Sequence, residues 1–111
     1  MKALRAAARA APLLLLGLAA AAPAGQQIVL HGNENGAMPC AACHGAQGQG
    51  NSAIGAPALA GRKADDIVAA LNLMAAGQGG NALMRRIASA LTLRERQDVA
   101  AYFASLPAAK P

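Results

Sequence analysis

The sequence of 111 residues predicts an all-α protein with three to five short helices. Apolar residues recur at helical spacing in residues 65–76 and 99–106. No stretch alternates apolar and polar side chains in the way that a half-buried strand does. Glycine and proline interrupt the chain between the helical stretches, which indicates irregular connections. A chain of this length has room for one domain.

The first 24 residues have the pattern of a cleaved secretory signal peptide. Three basic residues and no acid precede an uncharged run of 13 mostly apolar residues, 10–22, and Ala22-Pro23-Ala24 follows as a small-x-small end. A membrane-spanning helix needs about 20 apolar residues, so this run is too short to favour one. We therefore expect residues 1–24 to be removed and residues 25–111 to form a single periplasmic domain without a membrane span.

The charge of the chain lies mostly in this leader. The whole sequence has a formal charge of +5, from ten basic and five acidic residues. Three of the basic residues and no acid lie in residues 1–24, so the remaining 87 residues carry +2. We expect no nucleic-acid binding from so small an excess. A domain of this size is marginally stable by itself and usually needs a disulfide, a metal or a bound group.

The N-terminal half of the domain is predicted to hold one short helix and a long irregular segment. Residues 26–30 are apolar enough to begin a helix, which the stretch from Gly32 to Gly36 would end. Five glycines and Pro57 lie within residues 40–61, a density that favours irregular backbone.

Three helices are predicted in the C-terminal half. Residues 65–76 carry apolar side chains at helical spacing and two aspartates in the first turn, and Gly77 ends the helix. Residues 83–91 form a short helix. Thr92 and Glu95 have capping-box spacing and begin the last helix, whose apolar face runs to Leu106 before Pro107.

The chemistry of the sequence is concentrated in Cys40-Ala-Ala-Cys43-His44. C-x-x-C-H is the attachment motif of c-type haem. One turn of helix places both sulfurs on one face, where each can form a thioether with a haem vinyl group, and His44 follows as an iron ligand. A redox dithiol normally occurs in a βαβ context, and no strand is predicted. A structural zinc site needs four ligands, and only His31 and a few carboxylates remain to complete one.

A six-coordinate iron needs a second axial ligand, and four residues are candidates. Met38 is too close to Cys40 to reach the opposite haem face easily, and Met74 lies on the apolar face of a predicted helix. Met84 follows the glycine-rich stretch 77–81, which gives the backbone freedom to approach a haem. Met84 is the favoured ligand; packing of Met84 within its own helix, His31 as ligand, and an iron without a second protein ligand stay open.

Several sequence pieces, taken in order, resemble a small bacterial class I cytochrome c with one haem. They span about residues 28–107 and comprise Cys40–Gly45, Gly48–Asn51, Pro57–Gly61, Asn81–Ala88 and Ala100–Leu106. The resemblance implies a class I cytochrome c fold, with the helices wrapped around one covalently bound haem c.

The resemblance also implies roles for individual residues. Met84 would be the second axial ligand beside His44, and the carbonyl of Pro57 would orient the His44 ring. Tyr102 and Phe103 would pack on the N-terminal helix, opposite a close-contact glycine at either Gly32 or Gly36. The N-terminal helix has no aromatic residue, so we expect this helix pair to be looser than is usual.

The predicted function is one-electron transfer in the periplasm, either as a soluble carrier or as the small haem subunit of a periplasmic dehydrogenase. No catalytic residue is expected. Its partners would be redox proteins: a periplasmic dehydrogenase, an oxidase or another cytochrome. The alternatives are a catalytic or gas-binding haem protein with an open sixth site, and a haem-free dithiol or metal-binding module.

Basic side chains near the proposed ligand have two interpretations. Arg85, Arg86, Arg94 and Arg96 could steer an acidic partner or form a solvated helix face. Arg62 is a candidate partner for a haem propionate.

Overall fold

The computed structural model describes residues 22–110. Within them the chain forms five α-helices, one short 3₁₀ helix and no strand, so the prediction of an all-α fold with three to five helices is confirmed. Residues 22–31 form α1, and the others are α2 (Ala41–His44), the 3₁₀ helix (Ser52–Ile54), α3 (Ala64–Ala75), α4 (Ala82–Ala90) and α5 (Leu93–Ser105).

The predicted signal peptide lies, as far as residue 21, outside the described residues. Its last three positions, 22–24, belong to α1. The division into a leader and a domain from residue 25 stays a prediction. In the described range, no helix has the length and apolar character needed to cross a bilayer.

One continuous core joins four of the helices. Val29 of α1 and Phe103 of α5 are its largest fully buried side chains. Ile67 and Leu71 of α3 join the same cluster, as does Ala88 of α4. The helices therefore enclose a common apolar interior, although most of the segment between α2 and α3 is irregular.

Helix α1 crosses α5 at Gly25, where the two backbones approach closely. A Cβ built on Gly25 would overlap the carbonyl oxygen of Asp98 and lie 3.0 Å from the Tyr102 Cβ. The expectation that Gly32 or Gly36 makes this contact is wrong. A Cβ at Gly32 would meet Ala37, in the loop after α1, and one at Gly36 would meet nothing within 4 Å.

Gly25→Ala tests this crossing, because a close crossing predicts that the variant loses stability rather than gains it. An alanine in place of a helical glycine usually stabilises a protein by about 0.5–1 kcal/mol. Here we expect destabilisation of about 1–3 kcal/mol, because the new methyl group forces α1 away from α5. Denaturant unfolding of the full chain measures it, with Gln26→Ala on the exposed side of α1 as control. A Gly25→Ala protein more stable than the wild type would contradict the close crossing.

The predicted capping box begins α5 and also anchors the loop after α1. Thr92 Oγ1 accepts a hydrogen bond from the Glu95 amide at 3.1 Å, and Glu95 Oε1 accepts one from the Thr92 amide at 2.9 Å. Asn33 Nδ2 donates to the same Glu95 oxygen and to the carbonyl of Ala90. The Thr92 amide is the main cause that lowers the pKa of Glu95. These bonds fasten the loop after α1 to the junction of α4 and α5.

Candidate cofactor site

A large apolar cavity lies between the irregular segment and helices α3, α4 and α5. Its volume is about 770 Å³, which is in the upper part of the range typical for cofactor and ligand sites. Most of the lining side chains are apolar, and they include Ile67, Leu71, Ile87, Leu91 and Val99. A cavity of this size in so small a domain is suited to a large, mostly apolar group.

The short helix α2 brings the C-x-x-C-H motif to the wall of this cavity. Cys40, Cys43 and His44 all line it. The single turn is closed by the amide of His44, which donates to the carbonyl of Cys40 at 2.9 Å. Both thiols are free and half-buried. The structure has the arrangement that the spacing predicts: one turn presents two sulfurs and an imidazole together.

The environment of Cys40 does not suit a reactive dithiol. Burial raises the pKa of the Cys40 thiol to about 11, so the thiol is neutral at pH 7. Redox-active cysteines need a lowered pKa, since the thiolate is the nucleophile. Among residues 22–110 no group of three or more histidine, cysteine or acidic side chains is placed to hold a metal ion. The haem-free alternatives gain no support from this geometry.

His44 is buried and held by a hydrogen bond to the irregular segment. Its Nδ1 lies 2.8 Å from the carbonyl oxygen of Pro57. A carbonyl only accepts, so Nδ1 carries a proton and donates; in the neutral imidazole this leaves the lone pair on Nε2. A histidine that ligates a metal through one nitrogen usually donates from the other in this way.

The glycine-rich segment 45–61 folds so that Pro57 reaches His44. The amide of Gly50 donates to the His44 carbonyl at 2.8 Å. The backbone of Gly50 has φ of +79°, and a Cβ there would lie 2.7 Å from the amide nitrogen of Ala58. Both the left-handed conformation and the close approach require glycine. The high glycine content thus has a local cause at the site.

Three of the four axial-ligand candidates line the cavity. Met38, Met74 and Met84 contribute to its wall. Met74 packs against the buried core, as does Met84, so the choice of Met84 as ligand stays a prediction. His31 is exposed at the end of α1 and is not among the lining residues.

Met84 is placed by a helix cap that the sequence analysis missed. Asn81 precedes α4, and its Oδ1 accepts a hydrogen bond from the backbone amide of Met84 at 2.8 Å. Asparagine is among the preferred residues at this position, so its location three residues before Met84 was a usable signal.

Two of the four arginines make side-chain hydrogen bonds within the domain, and the other two are exposed. Arg85 donates to loop carbonyls, and Arg96 donates to Asn72 Oδ1 at 2.7 Å and to the carbonyl of Leu91. Arg86 and Arg94 are exposed. Arg62 lies at the cavity wall, where it could meet a carboxylate of a bound group. Asp66, which the sequence analysis did not single out at the cavity, lines the same wall.

Both a family profile and individual proteins of known sequence match this chain. The cytochrome c family profile matches residues 24–107. The chain is 42% identical over 96 residues to the thiosulfate dehydrogenase electron acceptor of Stutzerimonas stutzeri (strain A1501), which covers 86% of this chain and 44% of that protein. It is 39% identical over 88 residues to cytochrome c-552 of Acidithiobacillus ferridurans, covering 78% of this chain and 37% of that one.

Solved structures show the same fold. Cytochrome c4 of Acidithiobacillus ferrooxidans superposes with a TM-score of 0.74 at 36% identity, over 78% of this chain and 51% of that one. Thiosulfate dehydrogenase (TsdBA) of Marichromatium purpuratum superposes with a TM-score of 0.74 at 32% identity, over 78% of this chain and 19% of that one.

The chain spans less than half the length of the curated relatives it matches. The family profile, the helical fold and the relatives agree: this chain belongs to the cytochrome c family, whose members carry covalently bound haem.

Proposed function

We propose that the chain is a one-electron carrier that binds one haem c. Cys40 and Cys43 form the two thioethers, and His44 and Met84 are the axial ligands. The observation that carries the proposal is the joint presence of these four side chains at one apolar cavity, where His44 Nδ1 makes a hydrogen bond with the Pro57 carbonyl.

The residues at the cavity fit this group chemically. Two free thiols on one helical turn match the two vinyl positions of haem, and the imidazole Nε2 has a lone pair for iron. The Met84 thioether is a soft ligand, and a methionine ligand raises the reduction potential of haem iron. When bound, haem supplies an iron centre that can gain and lose one electron.

Other residues around the cavity restrict the movement of the proposed ligands and limit their contact with water. The Pro57 carbonyl fixes the orientation and tautomer of His44, and the Asn81 cap fixes the backbone at Met84. Aliphatic side chains from α3, α4 and α5 limit the access of water. Such a fixed and apolar environment tunes the potential of a bound cofactor and limits reorganisation during electron transfer.

The rim of the cavity is the place where electrons would enter and leave. Met38, Ile54 and Leu83 line the cavity and are also exposed, at 43%, 58% and 40%. The named relatives include an electron acceptor of thiosulfate dehydrogenase, and a solved relative is that enzyme itself. We therefore propose a redox protein as partner: a periplasmic dehydrogenase, an oxidase or another cytochrome. This assignment includes secretion by residues 1–24 and a periplasmic domain from residue 25.

Spectropotentiometry of the full chain, produced in a host that attaches haem c, tests the proposal. We expect a covalently bound haem that titrates with a one-electron Nernst slope, and a ferrous form that does not bind carbon monoxide, because Met84 fills the sixth position. Ready binding of carbon monoxide by the wild-type protein would favour a gas-binding or catalytic haem protein. A colourless protein from this host would favour a haem-free module.

A further inference from the structure

We propose that Arg85 is a positioning residue that holds the turn before Met84 and thereby keeps Met84 in place. The inference rests on the proposed role of Met84 as an axial ligand. Arg85 has no role in the electron-transfer function proposed above.

The guanidinium of Arg85 bridges two consecutive carbonyls of the turn. Its Nη1 donates to the Gly79 carbonyl at 2.9 Å and to the Gly80 carbonyl at 3.1 Å. Arg85 follows Met84 directly in the first half of α4. The side chain therefore reaches back over the start of its own helix and fastens the segment from which Met84 emerges.

The bridged segment has few other polar contacts. Within residues 22–110, no backbone–backbone hydrogen bond involves Gly79 or Gly80. Both glycines have positive φ, +71° and +56°, and glycine has little intrinsic preference for one conformation. A turn of this kind is mobile unless something external holds it. The Arg85 guanidinium supplies this restraint, and a hydrogen bond from a charged donor is stronger than one between neutral groups.

The turn also lies close to Met74 of α3. A Cβ on Gly80 would overlap the Sδ of Met74 and lie 3.6 Å from the Cβ of Met84. Met74 therefore lies against the turn, while the Arg85 guanidinium holds two of its carbonyls. The Asn81 cap, directly after Gly80, links the turn to the Met84 backbone.

The consequence is competition at the sixth coordination position. An exogenous ligand would bind the ferric iron only when Met84 leaves, so its apparent affinity is proportional to the fraction of time for which Met84 is displaced. Release of the Gly79 and Gly80 carbonyls should raise that fraction. Arg85 therefore determines how readily Met84 is displaced, although it does not touch the proposed haem position.

Arg86 provides a matched control for the experiment. It carries the same charge on the next residue of α4 and is exposed, and it makes no hydrogen bond to the turn. Arg85→Gln and Arg86→Gln remove the same charge; Arg85 is half-buried and Arg86 exposed, and the bridge to the turn belongs to Arg85 alone. Imidazole is a suitable probe because it is largely neutral at pH 8, well above its pKa, and is not steered by either charge.

We expect Arg85→Gln to raise the affinity of the ferric holoprotein for imidazole about ten-fold, and Arg86→Gln to change it less than two-fold. The optical charge-transfer band between methionine sulfur and ferric iron should weaken in Arg85→Gln alone. Arg85→Lys should be intermediate, since an ammonium group is a more compact donor than the guanidinium. Equal behaviour of Arg85→Gln and Arg86→Gln would overturn the inference.

The same titration on Met84→Ala separates this inference from the proposed function. If Met84→Ala does not increase imidazole affinity, the axial assignment of Met84 is wrong. If Met84→Ala increases the affinity and Arg85→Gln does not, Met84 is the ligand and the positioning role of Arg85 alone is refuted.

Discussion

The double variant Cys40→Ala/Cys43→Ala is expected to contain no covalent haem and to lose most of its cooperative fold. Both thioether bonds depend on these sulfurs. The wall that they occupy belongs to a cavity of about 770 Å³ in a domain with few large buried side chains. Without the bound group, the apolar walls of that cavity have no packing partner, and surrounding structure relaxes only partly into such a space.

The double variant should lose its fold because the free energy of unfolding of so small a domain is low. Domains are stable by about 5–15 kcal/mol, and a domain of fewer than 100 residues is in the lower part of that range. The stabilisation lost with the group that fills the cavity should exceed this free energy of unfolding. Haem staining after denaturing electrophoresis measures attachment, and far-UV circular dichroism with thermal unfolding measures the fold.

The neighbouring Ala42 supplies the control. It is exposed on the same turn between the two cysteines, and Ala42→Ser should keep both haem and fold. Each single cysteine variant leaves one thioether and should retain haem with reduced yield and stability. A folded, cooperative, colourless double variant would instead show that the domain needs no prosthetic group, in agreement with the haem-free module.

The elements with local sequence signals could be predicted closely. The capping box of Thr92 and Glu95 and the apolar spacing of α3 depend on residues three or four apart, so a short window of sequence contains them. The C-x-x-C-H turn is local for the same reason. The prediction that it attaches haem followed from chemistry, because two cysteines and a histidine on one turn have few other uses in a helical protein.

Contacts that join distant residues could not be derived locally. Pro57 and His44 are 13 positions apart across an irregular segment without periodicity, and only the family resemblance indicated their hydrogen bond. The crossing glycine was misplaced because Gly25 directly follows the predicted leader, residues 1–24, whereas the N-terminal helix was predicted to begin only at residue 26. The Arg85 bridge depends on a side chain that turns back past the start of its helix, a path that sequence spacing does not reveal.

Met84→Ala is expected to leave haem attached and to change its ligation. Cys40, Cys43 and His44 are untouched, so the proposed covalent bonds and the proposed His44 ligand remain. If Met84 is the second axial ligand, loss of its side-chain sulfur opens the sixth position, and the ferrous protein should then bind carbon monoxide. The reduction potential should fall by on the order of 100 mV, a small part of the range of about 0.8 V that axial ligands set in haem proteins.

Met74 is the decisive comparison for this variant, since it is the same residue type at the wall of the same cavity. Met74→Leu keeps the volume of the side chain and removes its sulfur. If Met84 is the ligand, Met74→Leu should exclude carbon monoxide as the wild type does and show a nearly unchanged potential. If Met74→Leu instead admits carbon monoxide and Met84→Ala does not, the ligand comes from α3. The alternative that Met84 only packs within its own helix would then be correct.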